Sequence, residues 1–138
     1  PKGGDEINIP EAGRNYGWPI ITYGINYSGL AIPEAEGTAK EGMEQPHHYW
    51  PVSPALSGMA FYTSDRIPAW KNSLFLGALA GTSLIRLGLD GDRITGEERL
   101  LESRGERIRD VRVGPDGRVY ALTDAPDAKL LAIDLRTN

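Results

Sequence analysis

The chain has 138 residues, of which 40% are hydrophobic and 25% are charged, and its formal net charge is −4. This composition is typical of a folded globular protein, and the acidic balance argues against nucleic acid as the main partner. The lack of cysteine excludes a disulfide scaffold, an iron–sulfur cluster and a thiolate zinc site. No apolar run approaches the roughly 18 residues that a membrane-spanning helix needs.

The chain opens on Pro1 without a signal peptide, which predicts that it begins inside a loop of a longer protein. Residues 1–50 hold seven acidic and three basic residues, whereas the remainder is neutral. The first part could therefore favour a cation and the second could hold an anion. Residues 1–57 show few clear strands, and a long aromatic loop region usually carries function or covers a site. The alternative is an irregular segment packed around its aromatic residues: Trp18, Tyr23, Tyr27, Tyr49 and Trp50.

Two short motifs in this loop-rich region contain candidate metal ligands. Asp5 and Glu6 follow two glycines, and adjacent carboxylates beside glycine suit a hard cation such as Ca²⁺. The alternative is a charged turn that leads into a strand. His47 and His48 are adjacent, so an extended strand would point them to opposite sides, and we expect no two-ligand metal site there.

The rest of the chain consists of short apolar runs separated by turn residues. Runs at intervals of about ten residues with Gly or Asp turns predict an antiparallel all-β protein. The predicted strands cover residues 58–62, 74–79, 83–89, 93–100, 107–113, 118–123 and 129–135. The cadence suggests β-propeller blades of about forty to fifty residues, although a sandwich fits the spacing almost as well. A propeller would need more than the two to three blades that this length allows.

Arg107 and Arg109 lie on a predicted strand, where they share the parity of Val111 and Val113. Their guanidinium groups, about 7 Å apart, repel each other unless an anion or carboxylates lie between them. Paired arginines therefore suit a ligand with several carboxylates or phosphates. The alternative is a solvent-facing strand end that pairs with nearby acids: Glu102, Glu106 or Asp110.

Taken in order, these segments resemble the glucose/sorbosone dehydrogenase family of soluble quinoprotein sugar dehydrogenases, and within it the bacterial aldose sugar dehydrogenases. The motifs that carry the resemblance are GGDEIN at 3–8, GRNYGWP at 13–19, YGINYSG at 23–29, SGMAFY at 57–62, RIRDV at 107–111 and GPDG at 114–117. The resemblance implies that residues 1–138 form the C-terminal two to three blades of a six-bladed propeller. Residues 1–57 would be its calcium and cofactor region, and residues 58–138 its blade strands.

The resemblance also implies site residues. Arg107 and Arg109 match the pair that faces pyrroloquinoline quinone (PQQ), whereas Ala80 stands where relatives typically carry a lysine that reaches the quinone. Tyr27 and Trp50 match positions on the cofactor and sugar side. The implied Ca²⁺ ligands are Glu6 and the carbonyl of Tyr16 at a structural site, with Asp5 beside them, and the backbone at Pro1 near the cofactor's own calcium.

The implied function is oxidation of an aldose at C1 to a lactone by hydride transfer to PQQ, in a periplasmic or secreted enzyme that passes electrons to an external acceptor. The catalytic histidine of the family lies upstream, so the fragment alone would be inactive and would need the missing N-terminal blades. One alternative is a non-catalytic propeller that binds carbohydrate or protein and has lost cofactor use, which the alanine at position 80 favours. Another is a calcium-stabilised β fragment without a ligand.

Overall fold

The computed structural model describes residues 1–135 and consists of short antiparallel strands with two single-turn 3₁₀-helices. The strands are β1 (Asp5–Ile7), β2 (His48–Trp50), β3 (Leu56–Tyr62), β4 (Ser73–Ala78), β5 (Ser83–Asp90), β6 (Arg93–Leu100), β7 (Ile108–Val113), β8 (Val119–Thr123) and β9 (Leu130–Ile133). The 3₁₀-helices are Pro68–Trp70 and Glu102–Arg104. Contacts divide the chain into two compact units, Pro1–Pro54 and a second that begins at Ala55. Within the described residues, no helix is long and apolar enough to cross a bilayer.

The second unit contains two antiparallel sheets, and the all-β prediction is confirmed. One sheet has the order β3-β4-β5-β6 and the other has the order β7-β8-β9. Each of the seven predicted strands is present, with ends that differ by at most two residues. The periodic apolar runs and the Gly and Asp turns between them therefore carried enough information to locate these strands. The short strands β1 and β2 were not predicted.

The two sheets of the second unit share one aromatic core. Trp70 and Phe75 meet edge to face with ring centroids 5.2 Å apart, and Tyr62 contacts both rings. The Tyr62 hydroxyl is buried, where it accepts a hydrogen bond from the Ile67 backbone N–H at 3.1 Å and donates to the Gly117 carbonyl at 3.0 Å. A buried hydroxyl needs such partners because leaving it unpaired is costly. Tyr62 thus ties β3 to the turn between β7 and β8.

Glycine lets β3 and β4 approach β7 closely. A Cβ at Gly58 would lie 2.8 Å from the Asp110 Cα and 1.8 Å from its Oδ1, and a Cβ at Gly77 would lie 3.1 Å from the Ile108 side chain. Between them, the Ser57 hydroxyl donates a hydrogen bond to the Ile108 carbonyl at 2.7 Å. These contacts fix the start of β7, which is the segment that carries the two predicted arginines.

The first unit is organised around backbone contacts between separate segments. β1 pairs with β2 so that Asp5 is opposite Trp50, and Lys2 forms an isolated antiparallel bridge with Ile25. Gly4 has φ +75°, and a Cβ on it would lie 2.5 Å from the Gly24 backbone nitrogen. Only glycine permits both that conformation and that approach. The paired glycines of the first motif therefore let residues 1–4 pack on residues 23–25.

Replacing Gly58 with alanine should destabilise the protein by at least about 1–3 kcal/mol, because the new methyl would overlap the Asp110 backbone in a packed interface. Gly96→Ala is the matched control, since its Cβ would meet no heavy atom within 4 Å and should change stability by less than about 1 kcal/mol. Denaturant unfolding of both variants measures the difference. Equal stabilities would contradict the tight β3–β7 approach.

Candidate functional site

Strand register gathers the candidate cofactor residues of the second unit at one end. Leu56 and Ser83 both pair with Ala78, and Ser57 bonds to Ile108 at the start of β7. The β4–β5 turn, the start of β7 and the end of β8 are therefore at the same end. Its principal residues are Ala80, Arg107, Arg109 and Asp124, and it is called the arginine end below. The structure thus brings Ala80 to the same end as the two arginines.

Arg107 and Arg109 converge on one carboxylate, that of Asp124, which follows β8. The Arg107 Nε donates to Asp124 Oδ2 at 2.9 Å, whereas Arg109 donates to Oδ1 from Nε at 3.2 Å and from Nη2 at 3.1 Å. Each oxygen therefore serves one arginine. The repulsion between the two cations predicted an anion or carboxylate between them, and Asp124 is that carboxylate rather than Glu102, Glu106 or Asp110.

A β-bulge changes the strand parity that the sequence predicted. Ile108 pairs with Thr123 and Asp110 pairs with Leu122, so Arg109 is an extra residue on β7. Ile108 and Val111 are both buried, and Arg109 is exposed between them. The prediction that Arg107 and Arg109 extend the apolar row of Val111 is therefore wrong, because one inserted residue shifts the alternation.

The two arginines change the acidity of Asp124. Hydrogen bonds from Arg107 and then from Arg109 lower the pKa of the Asp124 carboxyl below its ordinary value, since both cations favour the ionised form. The carboxylate therefore stays ionised in mild acid. In the described part of the chain, the hydrogen bonds of this group do not use the Nη groups of Arg107 or the Nη1 of Arg109. Those N–H groups remain as donors for an anion.

A cavity of about 220 Å³ opens beside this group. It is lined by Gly105, Glu106, Arg107, Thr123, Asp124, Ala125, Asp127 and Lys129. Glu106 accepts hydrogen bonds from Lys129 and Arg104, so this wall of the cavity is internally paired. Bonds from Lys129 and Arg104 lower the pKa of Glu106. The arginine end is therefore a polar surface on which each cation is paired with a carboxylate that it shares with a second cation.

Unusual backbone conformations also occur at the arginine end. Ala55 has φ +52° just before β3, and Thr82 has φ +42° in the β4–β5 turn that contains Ala80. A β-branched residue with positive φ is rare, and strain of this kind clusters at functional sites. The Ala55 carbonyl accepts a hydrogen bond from the Leu79 N–H at 2.9 Å, which holds the turn against the start of β3. Ala80 is exposed on this constrained turn.

The first unit contains the predicted calcium ligands. Asp5 and Glu6 are successive residues of β1 and so point to opposite faces. The Asp5 carboxylate accepts a hydrogen bond from the Ser53 hydroxyl at 2.8 Å, and Glu6 accepts one from the Asn8 Nδ2 at 3.2 Å. The Asn8 Oδ1 is buried without a hydrogen-bond donor. An orphaned amide oxygen beside a carboxylate is a donor set that fits Ca²⁺.

The remaining predicted metal residues offer backbone oxygens. The Tyr16 hydroxyl donates to the Ile9 carbonyl and accepts from the Glu11 N–H, both at 2.8 Å, so this ring fastens the loop after β1. Pro1 lies next to Gly24, where residues 1–4 pack on residues 23–25. Among residues 1–135, no three His, Asp or Glu side chains cluster as a metal site. A cation here would therefore depend on backbone and amide oxygens as well as on Glu6.

The predicted aromatic residues differ in accessibility. Tyr27 is 78% exposed, whereas Trp50 is 5% exposed and meets His48 edge to face. Tyr23 and Tyr49 stack with centroids 3.8 Å apart. The alternative of an irregular segment packed around all five aromatic residues does not hold for Trp18 and Tyr27, which present their rings to solvent. Of Tyr27 and Trp50, only Tyr27 has a ring face accessible for stacking.

Sequence reasoning missed Asp124 and Asn8 as members of these sites. Asp124 directly follows a predicted strand in a hairpin, so register alone would have placed it near Ile108, and the bulge moves it to Arg107. The Asp124 N–H accordingly donates to the Arg107 carbonyl at 2.8 Å. Asn8 lies two residues after Glu6, a spacing that shares one face of an extended segment. That spacing was the available signal for Asn8.

Known proteins resemble this chain over almost its whole length. Residues 1–132 match the family model described as Glucose / Sorbosone dehydrogenase. Aldose sugar dehydrogenase YliI of Escherichia coli (strain K12) is 56% identical over 136 residues, which are 99% of this chain and 37% of that protein. A crystal structure of a glucose dehydrogenase superposes with a TM-score of 0.97 at 64% identity, over 99% of this chain and 39% of that one. The PQQ-bound form of an aldose sugar dehydrogenase from Streptomyces coelicolor superposes with a TM-score of 0.63 at 25% identity, over 94% and 37% of the two chains.

The antiparallel sheets and these superpositions define the class: the chain is part of a β-propeller protein with the fold of the solved glucose dehydrogenases. It belongs to the glucose/sorbosone dehydrogenase family, as its sequence motifs implied. The chain spans 37% of the curated relative and 39% of the solved glucose dehydrogenase.

Removing Arg107 should raise the pKa of Asp124 toward its unperturbed value of about 3.9, because the Arg107 hydrogen bond is the main cause of the lowered pKa. Carbon NMR titration of the Asp124 carboxyl in Arg107→Ala measures this. Arg112→Ala is the control, since Arg112 pairs with Asp110. An unchanged titration in Arg107→Ala would show that the pair does not form in solution.

The sign of the linked stability follows from the same shift. Because the folded pKa lies below the unfolded one, pairing of Asp124 contributes stability above the unfolded pKa of about 3.9 and loses it as the pH falls further. Both arginine partners of Asp124 are about half exposed, so solvent screening keeps the contribution small.

Proposed function

We propose that the complete protein is a PQQ-dependent dehydrogenase that oxidises aldoses at C1 to lactones and passes electrons to an external acceptor. The observation that supports this most is the convergence of Arg107 and Arg109 at one end of the second unit, with outward N–H groups unused. The sugar dehydrogenase family of the chain and the PQQ-bound relative point the same way. The resemblance further suggests a periplasmic or secreted location.

The proposed task of Arg107 and Arg109 is to bind and orient the carboxylates of PQQ. Planar guanidinium groups match carboxylates with paired hydrogen bonds, which fix orientation as well as supply binding energy. When bound, PQQ supplies the ortho-quinone that accepts the hydride removed from sugar C1. A nearby cation at the quinone oxygens favours that transfer, because negative charge develops there. In the first unit, the exposed ring of Tyr27 is available to stack on a planar ligand.

We further propose a Ca²⁺ ion at Glu6, held by its carboxylate, by the Asn8 Oδ1 and by the Tyr16 carbonyl. Support comes from the orphaned Asn8 oxygen and from its hydrogen bond to Glu6. Asp5 is a weaker candidate, since its carboxylate is turned to the other face of β1 and bonds to Ser53. The Pro1 carbonyl is the proposed contribution of this chain to the cofactor's own calcium.

The proton acceptor for the sugar hydroxyl is proposed to lie outside this chain. Neither His47 nor His48 takes that role, since His48 packs on Trp50 within β2 and His47 pairs its backbone with Ile7. The chain alone would therefore bind without turning over substrate. Ala80 leaves the arginine end with one cation fewer than the lysine of relatives would give.

A second function is favoured by a specific observation. Asp124 accepts hydrogen bonds from Arg107 and Arg109, so its single negative charge relieves part of their repulsion before any anionic ligand binds. Two unpaired arginines would count against a non-catalytic propeller, and their shared pairing with Asp124 weakens that objection. A propeller that binds carbohydrate or protein without a cofactor is therefore the competing proposal.

PQQ titrated into the complete protein with Ca²⁺ present should bind and perturb the quinone absorbance. Arg107→Ala and Arg109→Ala should each weaken binding by about 10- to 100-fold, the usual effect of a lost charge-assisted hydrogen bond. Arg112→Ala is the control. It removes another exposed arginine of β7, one that pairs with Asp110, and it should leave PQQ binding unchanged.

The outcome separates the two proposed functions. No binding by the wild type, with recovery in Ala80→Lys, would indicate an enzyme that has lost cofactor use. No binding in either form would reject the dehydrogenase and leave the binding propeller. PQQ-dependent oxidation of an aldose with an artificial acceptor completes the test.

Ca²⁺ should raise the melting temperature, by the equivalent of about 2.7 kcal/mol at a free concentration of 100 times its Kd. Glu6→Gln should abolish most of this gain, because the ion loses its carboxylate ligand. Glu11→Gln is the control, since Glu11 is an exposed partner of Arg14. Equal calcium responses in all three proteins would place the ion elsewhere.

A further inference from the structure

Asp124 is held in place by the fold rather than by a ligand. Its N–H donates to the Arg107 carbonyl at 2.8 Å, and Thr123 before it pairs with Ile108. Two hydrogen bonds between Thr123 and Lys129 close the loop that follows. The Thr123 N–H donates to the Lys129 carbonyl at 3.0 Å, and the Lys129 N–H donates to the Thr123 hydroxyl at 2.8 Å. The backbone that carries the Asp124 carboxylate is therefore held in place at the end of β8.

We propose that Asp124 is a positioning residue for the anion site of the arginine end. By accepting hydrogen bonds from both guanidinium groups through separate oxygens, it turns their remaining N–H groups toward a ligand that carries carboxylates. The inference rests on the proposed function, in which that ligand is PQQ. It adds to that function a residue that contacts the arginines instead of the cofactor.

Pre-orientation matters because both arginine side chains are about half exposed. An exposed arginine samples many rotamers, and a ligand that must order two of them pays that entropy on binding. The bonds to Asp124 engage Nε of Arg107 and the Nε–Nη2 edge of Arg109. Those bonds fix the plane of each guanidinium before a ligand arrives, and the opposite edges keep their donors.

A positioning role and a simple charge effect predict opposite results. If Asp124 acted only through its negative charge, it would repel an anionic ligand, and its neutralisation would tighten binding. If it positions the arginines, neutralisation weakens binding although the site becomes more positive. Asparagine cannot replace the carboxylate, since its amide offers one acceptor oxygen and one donor nitrogen to two donors.

Asp127 provides a matched control for the charge effect. It lines the same cavity as Asp124, so Asp127→Asn removes the same charge from the same surface. In the part of the chain that the structure describes, the ion pairs of Arg107 and Arg109 are both with Asp124 and not with Asp127. Asp127→Asn should therefore leave affinity unchanged or slightly higher.

The test titrates PQQ, with Ca²⁺ present, into the complete protein as wild type, Asp124→Asn, Asp124→Glu and Asp127→Asn. Asp124→Asn should bind PQQ at least about 10-fold more weakly, the effect of a lost hydrogen bond between charged groups. Asp124→Glu should recover part of the affinity, because it restores the charge but shifts the carboxylate by one methylene. Melting temperatures near that of the wild type show that each variant is folded.

A folded Asp124→Asn that binds as tightly as the wild type, or more tightly, overturns the inference while the proposed function stands. An equal loss in Asp127→Asn overturns it as well, since among the described residues Asp127 forms no ion pair with either arginine and the loss would then not depend on how the arginines are positioned. If Asp124→Asn does not fold, PQQ affinity is compared between Asp124→Glu and the wild type instead. Wild-type affinity in Asp124→Glu would show that the position of the carboxylate does not matter, and it would overturn the inference. A wild type that binds no PQQ rejects the proposed function, and this inference with it.

Discussion

The mutual repulsion of two guanidinium groups is the constraint on which the arginine end depends. Arg107 and Arg109 stand two residues apart at the start of β7, and a negative charge between them relieves their repulsion. Asp124 supplies it with one carboxylate oxygen for each arginine. The start of β7, the end of β8 and the closed loop after it are consequently held together by charge as well as by backbone pairing.

The scaffold beneath this group is built to keep β7 in place. Gly58 and Gly77 remove the side chains that would separate β3 and β4 from β7, and Ser57 adds a hydrogen bond to the Ile108 carbonyl. At the opposite end of the sheets, the buried Tyr62 hydroxyl bonds to Gly117 in the β7–β8 turn. The hairpin of β7 and β8 is therefore fixed at both ends, which gives the exposed arginines a rigid base.

The two units differ in the ligand chemistry that they offer. The first combines an acidic composition with a carboxylate and a buried amide oxygen, which suits a hard cation. The second presents two guanidinium groups that share one carboxylate and so keep a net positive charge. An anion that binds there shares the arginines with Asp124, so the site can remain ordered when it is empty.

Local patterns in the sequence determined much of this protein. Alternating apolar runs and Gly or Asp turns located seven strands within two residues, since these signals depend on neighbours along the chain. The motifs identified the family, and the paired arginines predicted that a carboxylate or an anion lies between them. β1 and β2 were missed because three-residue strands have no periodicity to read.

Only the tertiary structure decided which carboxylate that is. The bulge at Arg109 shifts the register by one residue, and such a shift depends on how β7 packs against β3 rather than on the residues of β7 alone. It places Asp124 opposite Arg107, 17 residues away in the sequence, whereas an unbroken register would have placed it opposite Ile108. Likewise, the exposure of Tyr27 and the burial of Trp50 depend on surroundings that composition does not encode.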